Sequence, residues 1–293
     1  MKDKEKTVLI CGLTFVVCFA VVPYVFGWIE STLPGWFERT DWEAYYLLFF
    51  HLLMLLPLIA GAWWLGGEQR LCYTLGLEGN LREGLKPFGV LLLTMIIILL
   101  IAICIQPMFI LLPVALYECA EPIIVSLVTV LIRCVLFTGF TFGQLYRRAD
   151  WGYAPAVLFV SGLYLLARCW RLPFQHFEWK WLLSIFVNFG LIIVFDIVWA
   201  AWFYTQWRFN IWALFAVQWV MHIPESMSPS PIDTSDELLM LFLYKLFIAV
   251  VVSIYTVIYR GARAILLQER QWWITKIQRY EDNSNDPCAL WGE

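Results

Sequence analysis

Apolar runs about the length of a bilayer crossing recur through this chain, and they leave little room for any fold but a bundle of membrane helices. A helical span needs about 20 apolar residues at 1.5 Å rise per residue. Residues 7–28, 44–65, 88–112, 123–146, 153–170, 181–203, 210–223 and 238–259 meet or approach that length. The hydrophobic share is 61% and the charged share 15%, against ~25% charged in a soluble domain. Seventeen Trp and thirteen Tyr suit headgroup belts, where an amphipathic ring keeps its polar edge wet. The expected fold is all-α, a polytopic bundle of about eight transmembrane helices forming one domain over residues 1–260. The run 210–223 is short and ends at Pro224, which predicts a partial or tilted span.

The basic residues orient the bundle. With the N-terminus inside, Lys2, Lys4, Lys6, Arg70, Arg82, Lys86, Arg147, Arg148, Arg208 and the five basic residues from Arg260 to Arg279 face the cytoplasm. Only Arg39, Arg168, Arg171 and Lys180 fall in or near outer loops. This asymmetry predicts both termini cytoplasmic. The segment Gly66 to Pro87 reads as a cytoplasmic loop, and Pro224 to Ser235 as an outer one. Residues 261–280 suit an amphipathic interfacial helix, with Ile265, Leu266, Trp273 and Ile277 among basic neighbours. The tail 281–293 reads as disordered. The apolar run after Lys6 is too long, and lacks the cleavage pattern, for a removed signal peptide.

Several function classes are disfavoured. No basic run interleaved with aromatics points to nucleic acid. Eight Cys are scattered without a Cys-x-x-Cys pair and only three His occur, so neither a structural zinc nor any other metal or cofactor is expected. Cys11, Cys18, Cys104 and Cys134 lie in apolar runs and read as small hydrophobes. Cys119 and Cys169 fall on one outer face, where a disulfide is open.

Function is sought in the polar residues at membrane depth. Arg133 interrupts the run Ile123 to Phe142, and Arg168, Asp196, Gln218, His222 and Lys245 interrupt others. A charge at the centre of a span costs at least ~2.5–3.5 kcal/mol on insertion scales, so such residues face a bundle interior or wet cavity. Gln218 and His222 stand one helical turn apart and so share a face. Arg168, followed by Trp170, Arg171 and Pro173, is expected to snorkel to the outer interface. Lys245, seven residues into the last run, is expected to reach the headgroups. His51 is expected to hydrogen-bond between helices.

From Leu131 onward the chain resembles the CPBP family of intramembrane proteins, which includes the type II CAAX prenyl endopeptidases. The first motif of that family, Glu-Glu-x-x-Phe-Arg-Gly-Phe, is similar to Arg133-Cys-Val-Leu-Phe137-Thr138-Gly139-Phe140, which leads to Arg147-Arg148 and Gly152. The second, Phe-x-x-x-His, is similar to Tyr164-Leu-Leu-Ala-Arg168. The third, with a Tyr, a turn, a Trp and His-x-x-x-Asn, is similar to Tyr204, Trp207 or Trp212, then Gln218-Trp-Val-Met-His222. The core so defined covers 123–223, with weaker support from Leu75-Gly-Leu77. The frame is kept while the chemistry departs: Arg133 and Cys134 stand at the paired glutamates, Thr138 at the arginine, Arg168 and Gln218 at the histidines, and His222 at the asparagine.

The resemblance implies a CPBP-like helical core with a degenerate site. A working member needs a general base tuned near neutrality and donors aimed at a developing oxyanion. Arg133 stays protonated and is no base. Cys134 is a nucleophile only with a base beside it, for which His222 is the candidate. The expectation is a non-catalytic homologue that binds or modulates a membrane-protein partner or a lipid headgroup. Active peptidase chemistry with altered residues and a small-molecule or ion transporter remain as alternatives. Inverted repeats and paired broken helices, the marks of many transporters, are not visible. For Arg133 two roles stay open: a cationic centre for an anionic group, or an ion pair with Asp196, whose helix the family arrangement places opposite.

Overall fold

In the computed structural model the described residues are 3–32, 43–67, 70–77, 79–105, 120–169, 189–227 and 235–260, and every regular element among them is helical. In chain order α1 (Asp3–Val16) passes through a π-helical turn at Val17–Val21 into α2 (Val22–Thr32). Then come α3 (Glu43–Gly66), the short α4 (Leu71–Leu75) and α5 (Leu81–Ile105). Next, α6 (Ala120–Arg133) runs through a π-helical segment at Cys134–Phe142 into α7 (Gly143–Arg147), as one continuous rod. After α8 (Tyr153–Cys169), a third π-helical segment, Ile192–Trp199, leads into α9 (Ala200–Gln206). The chain closes with α10 (Ile211–Met227) and α11 (Ser235–Arg260).

Among the described residues five stretches are long and apolar enough to cross a membrane: Asp3–Ile29, Leu48–Gly66, Val125–Arg147, Phe189–Gln206 and Leu238–Tyr259. Tyr153–Leu166 and Ile211–Pro224 are shorter apolar helices. The chain is thus an all-helical integral membrane protein. The expected interfacial helix and tail at 261–293, Cys119, the side chain of Cys169, and residues 228–234 of the expected outer loop lie outside what the structure describes.

Val125–Arg147 is the most enclosed of the five, with 78% of an 18-residue stretch buried. Phe137 of this rod stacks on Phe19 with ring centroids 5.6 Å apart and meets Tyr164 edge-on at 5.8 Å. The rod's other face touches α4. There Gly76 adopts a left-handed φ of 72°, its N–H donates to Tyr73 O, and Leu77 N–H donates to Cys72 O. This is the glycine-ended helix stop that only a residue lacking Cβ makes cheaply. The rod then satisfies the carbonyls that α3 and α4 leave open. Gln144 Nε2 donates to Thr74 O at 2.8 Å, Arg147 Nη2 to Tyr73 O at 3.1 Å, and Arg148 Nη1 to Leu65 O at 2.8 Å. The Arg147 guanidinium also lies 4.4 Å from the Tyr73 ring centroid, within cation–π range.

Two boundaries differ from the sequence reading. The segment Gly66 to Pro87 is no simple loop, since it contains α4 and the first turns of α5. The seventh run does not stop at Pro224, because α10 continues to Met227 with the proline inside it. A proline removes the N–H that would bond the carbonyl four residues back, here Val220 O. The Tyr244 hydroxyl of α11 donates to that carbonyl at 2.9 Å, and such replacement partners are what let proline persist in membrane helices. Tyr244→Phe is expected to cost about 1 kcal/mol and to loosen amide protection around Val220, as hydrogen exchange would report. Exchange unchanged from wild type would refute this role for Tyr244.

Candidate functional site

Asp196 is the centre of the site. It sits in the π-helical segment Ile192–Trp199 and is 7% exposed. Its Oδ2 lies 3.2 Å from His222 Nε2 on α10, and its Oδ1 lies 3.7 Å from Lys245 Nζ on α11. His222 is 5% exposed and Lys245 0%. Three separate helical rods therefore bring one carboxylate, one imidazole and one ammonium together inside the bundle. Burial of this kind is sustained only when charges are paired, because each ion leaving water costs several kcal/mol.

Neighbouring bonds fix the rods in register. Gln218 Nε2, one turn before His222, donates to Phe195 O at 3.0 Å. Trp199 Nε1 reaches Ser253 Oγ and Trp207 Nε1 reaches Thr256 Oγ1, each at 3.1 Å, tying the Asp196 rod to α11. Trp219 Nε1 donates to Ser126 Oγ at 3.1 Å, tying α10 to α6. At the other end Asn210 accepts at Oδ1 from Trp212 N–H at 3.0 Å, capping α10.

A small, partly open cavity lies beside the cluster, lined by Val130, Arg133, Cys134, Phe137, Asp196, Gln218 and His222. The structure therefore gathers Arg133, Cys134, Asp196, Gln218 and His222 around one space. Thr138 is buried in the same rod but does not line it. Arg168 falls near the end of α8, and its side chain lies outside the described residues. Two of the three described π-helical segments supply Cys134 and Asp196. Such wide turns often occur at functional sites.

The expected ion pair is not the arrangement found. Asp196 faces His222 and Lys245, while among the described residues no carboxylate pairs with Arg133, although both line the cavity. Lys245 is likewise corrected: it does not reach headgroups but is fully enclosed against Asp196. His51 is buried, with its ring 5.3 Å from that of Phe50 on the same helix.

The electrostatic balance follows. Among the described residues one carboxylate stands against two basic side chains and a histidine, and Asp196 is already engaged by Lys245 and His222. Arg133 contributes the charge in excess, at the wall of the cavity. It is only partly buried, whereas Asp196, Gln218 and His222 are buried. Gln218 Oε1 is a second open valence, a buried acceptor without a hydrogen-bond donor among the described residues. The arrangement suits a group that is anionic toward Arg133. Among the described residues no group of three or more His, Cys, Asp and Glu is placed to hold a metal ion.

Comparison with models of known families, with characterised proteins and with solved structures finds no match for this chain.

Proposed function

We propose that this is a non-catalytic membrane protein whose internal cationic centre binds an anionic group presented within the bilayer. The carrying observation is the excess charge at Arg133, beside an Asp196 already held by His222 and Lys245. In the fuller form of this reading the chain is an eight-helix, CPBP-like pseudoenzyme of a bacterial inner membrane, with both termini cytoplasmic. Support for the frame comes from residues the resemblance rests on. Gly76, Gly139 and Tyr204 converge, with the Tyr204 hydroxyl donating to Gly76 O at 3.4 Å. Support for lost peptidase chemistry comes from Arg133, a permanent cation where a base is required.

The test uses an amphiphile that carries its charge into apolar surroundings. In neutral detergent, decanoate is expected to raise the thermal midpoint of the wild-type protein while decanol does not, because a ligand that binds only the folded state stabilises it. Arg133→Gln is expected to abolish the difference. Equal effects of acid and alcohol on wild type would sink the anionic-group reading.

One observation favours a second reading, an enzyme of altered chemistry. Cys134 and His222 share the cavity, and Asp196 sits beside His222, which is the constellation for a thiol activated by an oriented base. Peptide cleavage by purified protein, abolished in both Cys134→Ser and His222→Ala, would establish it over the binding reading.

A further inference from the structure

We infer that the anionic group which Arg133 receives is the carboxylate of an acidic residue on a partner's transmembrane helix. This rests on the anionic-group reading and narrows it to a class of partner. Depth decides the class. Arg133 precedes Arg147 by fourteen residues along one continuous helical rod, at most about 21 Å at the α-helical rise of 1.5 Å per residue, since the π-helical turns at Cys134–Phe142 advance less. The hydrocarbon core is ~30 Å thick. With Arg147 at one boundary, at least about 9 Å of hydrocarbon separates Arg133 from the nearer headgroup layer. A phospholipid phosphate would have to sink that far, drawing its glycerol and headgroup with it. A transmembrane helix already runs through that depth, and its carboxylate arrives there without displacement.

Charge and exposure point the same way. A lone acidic residue at mid-membrane is as costly to its own helix as Arg133 is to this one, and pairing relieves both. Arg133 is the partly exposed member of a cluster whose other polar members are buried, so it is the one an outside helix can reach. Gln218 Oε1, lining the same cavity at 2% residue exposure, accepts one further hydrogen bond. The helix that fits best therefore carries Asp or Glu at mid-depth with a hydroxyl or amide donor within a turn of it, and binds side by side in the membrane plane.

The experiment uses the full chain in phosphatidylcholine vesicles. Synthetic Leu/Ala helices, flanked by Lys and carrying Glu, Gln or Leu at the centre and a dansyl acceptor, are titrated against energy transfer from the protein's own tryptophans. The Glu helix is expected to associate at least about tenfold more tightly than its Gln counterpart, one factor of ten being ~1.4 kcal/mol. That preference is expected to vanish in Arg133→Gln and to invert in Arg133→Glu, which should select a Lys-bearing helix. Comparison of the three helices on wild type decides the matter even where an Arg133 variant fails to fold. Equal association of Glu and Gln helices overturns the partner class. If decanoate still stabilises through Arg133, the anionic-group reading survives that result, whereas absence of both effects removes both. Displacement of the Glu helix by phosphatidylglycerol, with that lipid alone stabilising the protein through Arg133, would name a lipid phosphate as the occupant and overturn the inference.

Discussion

Asp196→Leu is expected to destabilise the protein by roughly 3–5 kcal/mol, the range for breaking a buried ion pair from one side. The cost comes less from the missing attraction than from the charge left behind. Lys245 is 0% exposed and faces Asp196 at 3.7 Å, so the variant leaves a buried ammonium without the carboxylate it faces. His222 is deprived of the neighbour beside its Nε2 in the same step. Lys245→Met alone should cost less, because Asp196 keeps His222. The double variant Asp196→Leu/Lys245→Met replaces both charges with apolar groups of similar reach and is expected to recover most of the stability. Replacing a buried pair whole is often close to neutral, so the two changes should be strongly non-additive. Thermal or denaturant unfolding in detergent, run as a double-mutant cycle, measures this. Additive effects would show that the pair is not a unit, and that Lys245 is held by something other than Asp196.

How much of this was legible in the sequence depends on the residue. That the chain is a bundle of membrane helices follows from the apolar runs, and the polar residues at depth pointed to Asp196, Gln218, His222 and Arg133, which the structure gathers around one cavity. The partner of Asp196 was not legible. Opposite charges at similar depth in two helices look pairable, but which of Arg133 and Lys245 meets the carboxylate depends on the rotation of each rod. Lys245 did leave a trace. Leu238, Leu241, Lys245, Ile248, Val252 and Thr256 are all buried and fall three or four residues apart, on one helical face. In a soluble helix a lysine on that stripe would stand out against a polar opposite face. Here Met240, Leu243, Phe247 and Ile254 on the remaining surface are apolar as well, because that surface meets lipid, and the stripe has no contrast. The end of α10 differs for a local reason. Pro224 is a sound stop signal until Tyr244, from another helix, supplies the missing donor to Val220 O. The π-helical turns at Cys134 and Asp196 have no propensity signature that would mark them in the sequence.

Gly139→Ala and Gly76→Ala are the other substitutions expected to be severe, and they test the frame independently of the charges. A Cβ on Gly139 would stand 2.5 Å from Leu75 O, and a Cβ on Gly76 would stand 2.6 Å from Gly139 Cα. Both obstacles are backbone, so no rotamer change relieves them and α4 must move away from the central rod. Overpacking of this kind costs about 1–3 kcal/mol or more. At Gly76 the left-handed φ of 72° adds about 1–3 kcal/mol for a non-glycine residue. Gly76→Ala is therefore expected to be the worse of the two. The consequence should travel along the rod. Separation of α4 would weaken the bonds that Gln144 and Arg147 make to Thr74 O and Tyr73 O, while Asp196, His222 and Lys245 keep their mutual distances. Global stability should fall in both variants, yet the decanoate response through Arg133 should persist in whatever fraction stays folded. If instead that response disappears while unfolding stays at the wild-type midpoint, the packing of α4 on the rod governs the cavity rather than the fold, and the frame and the site are one mechanical unit.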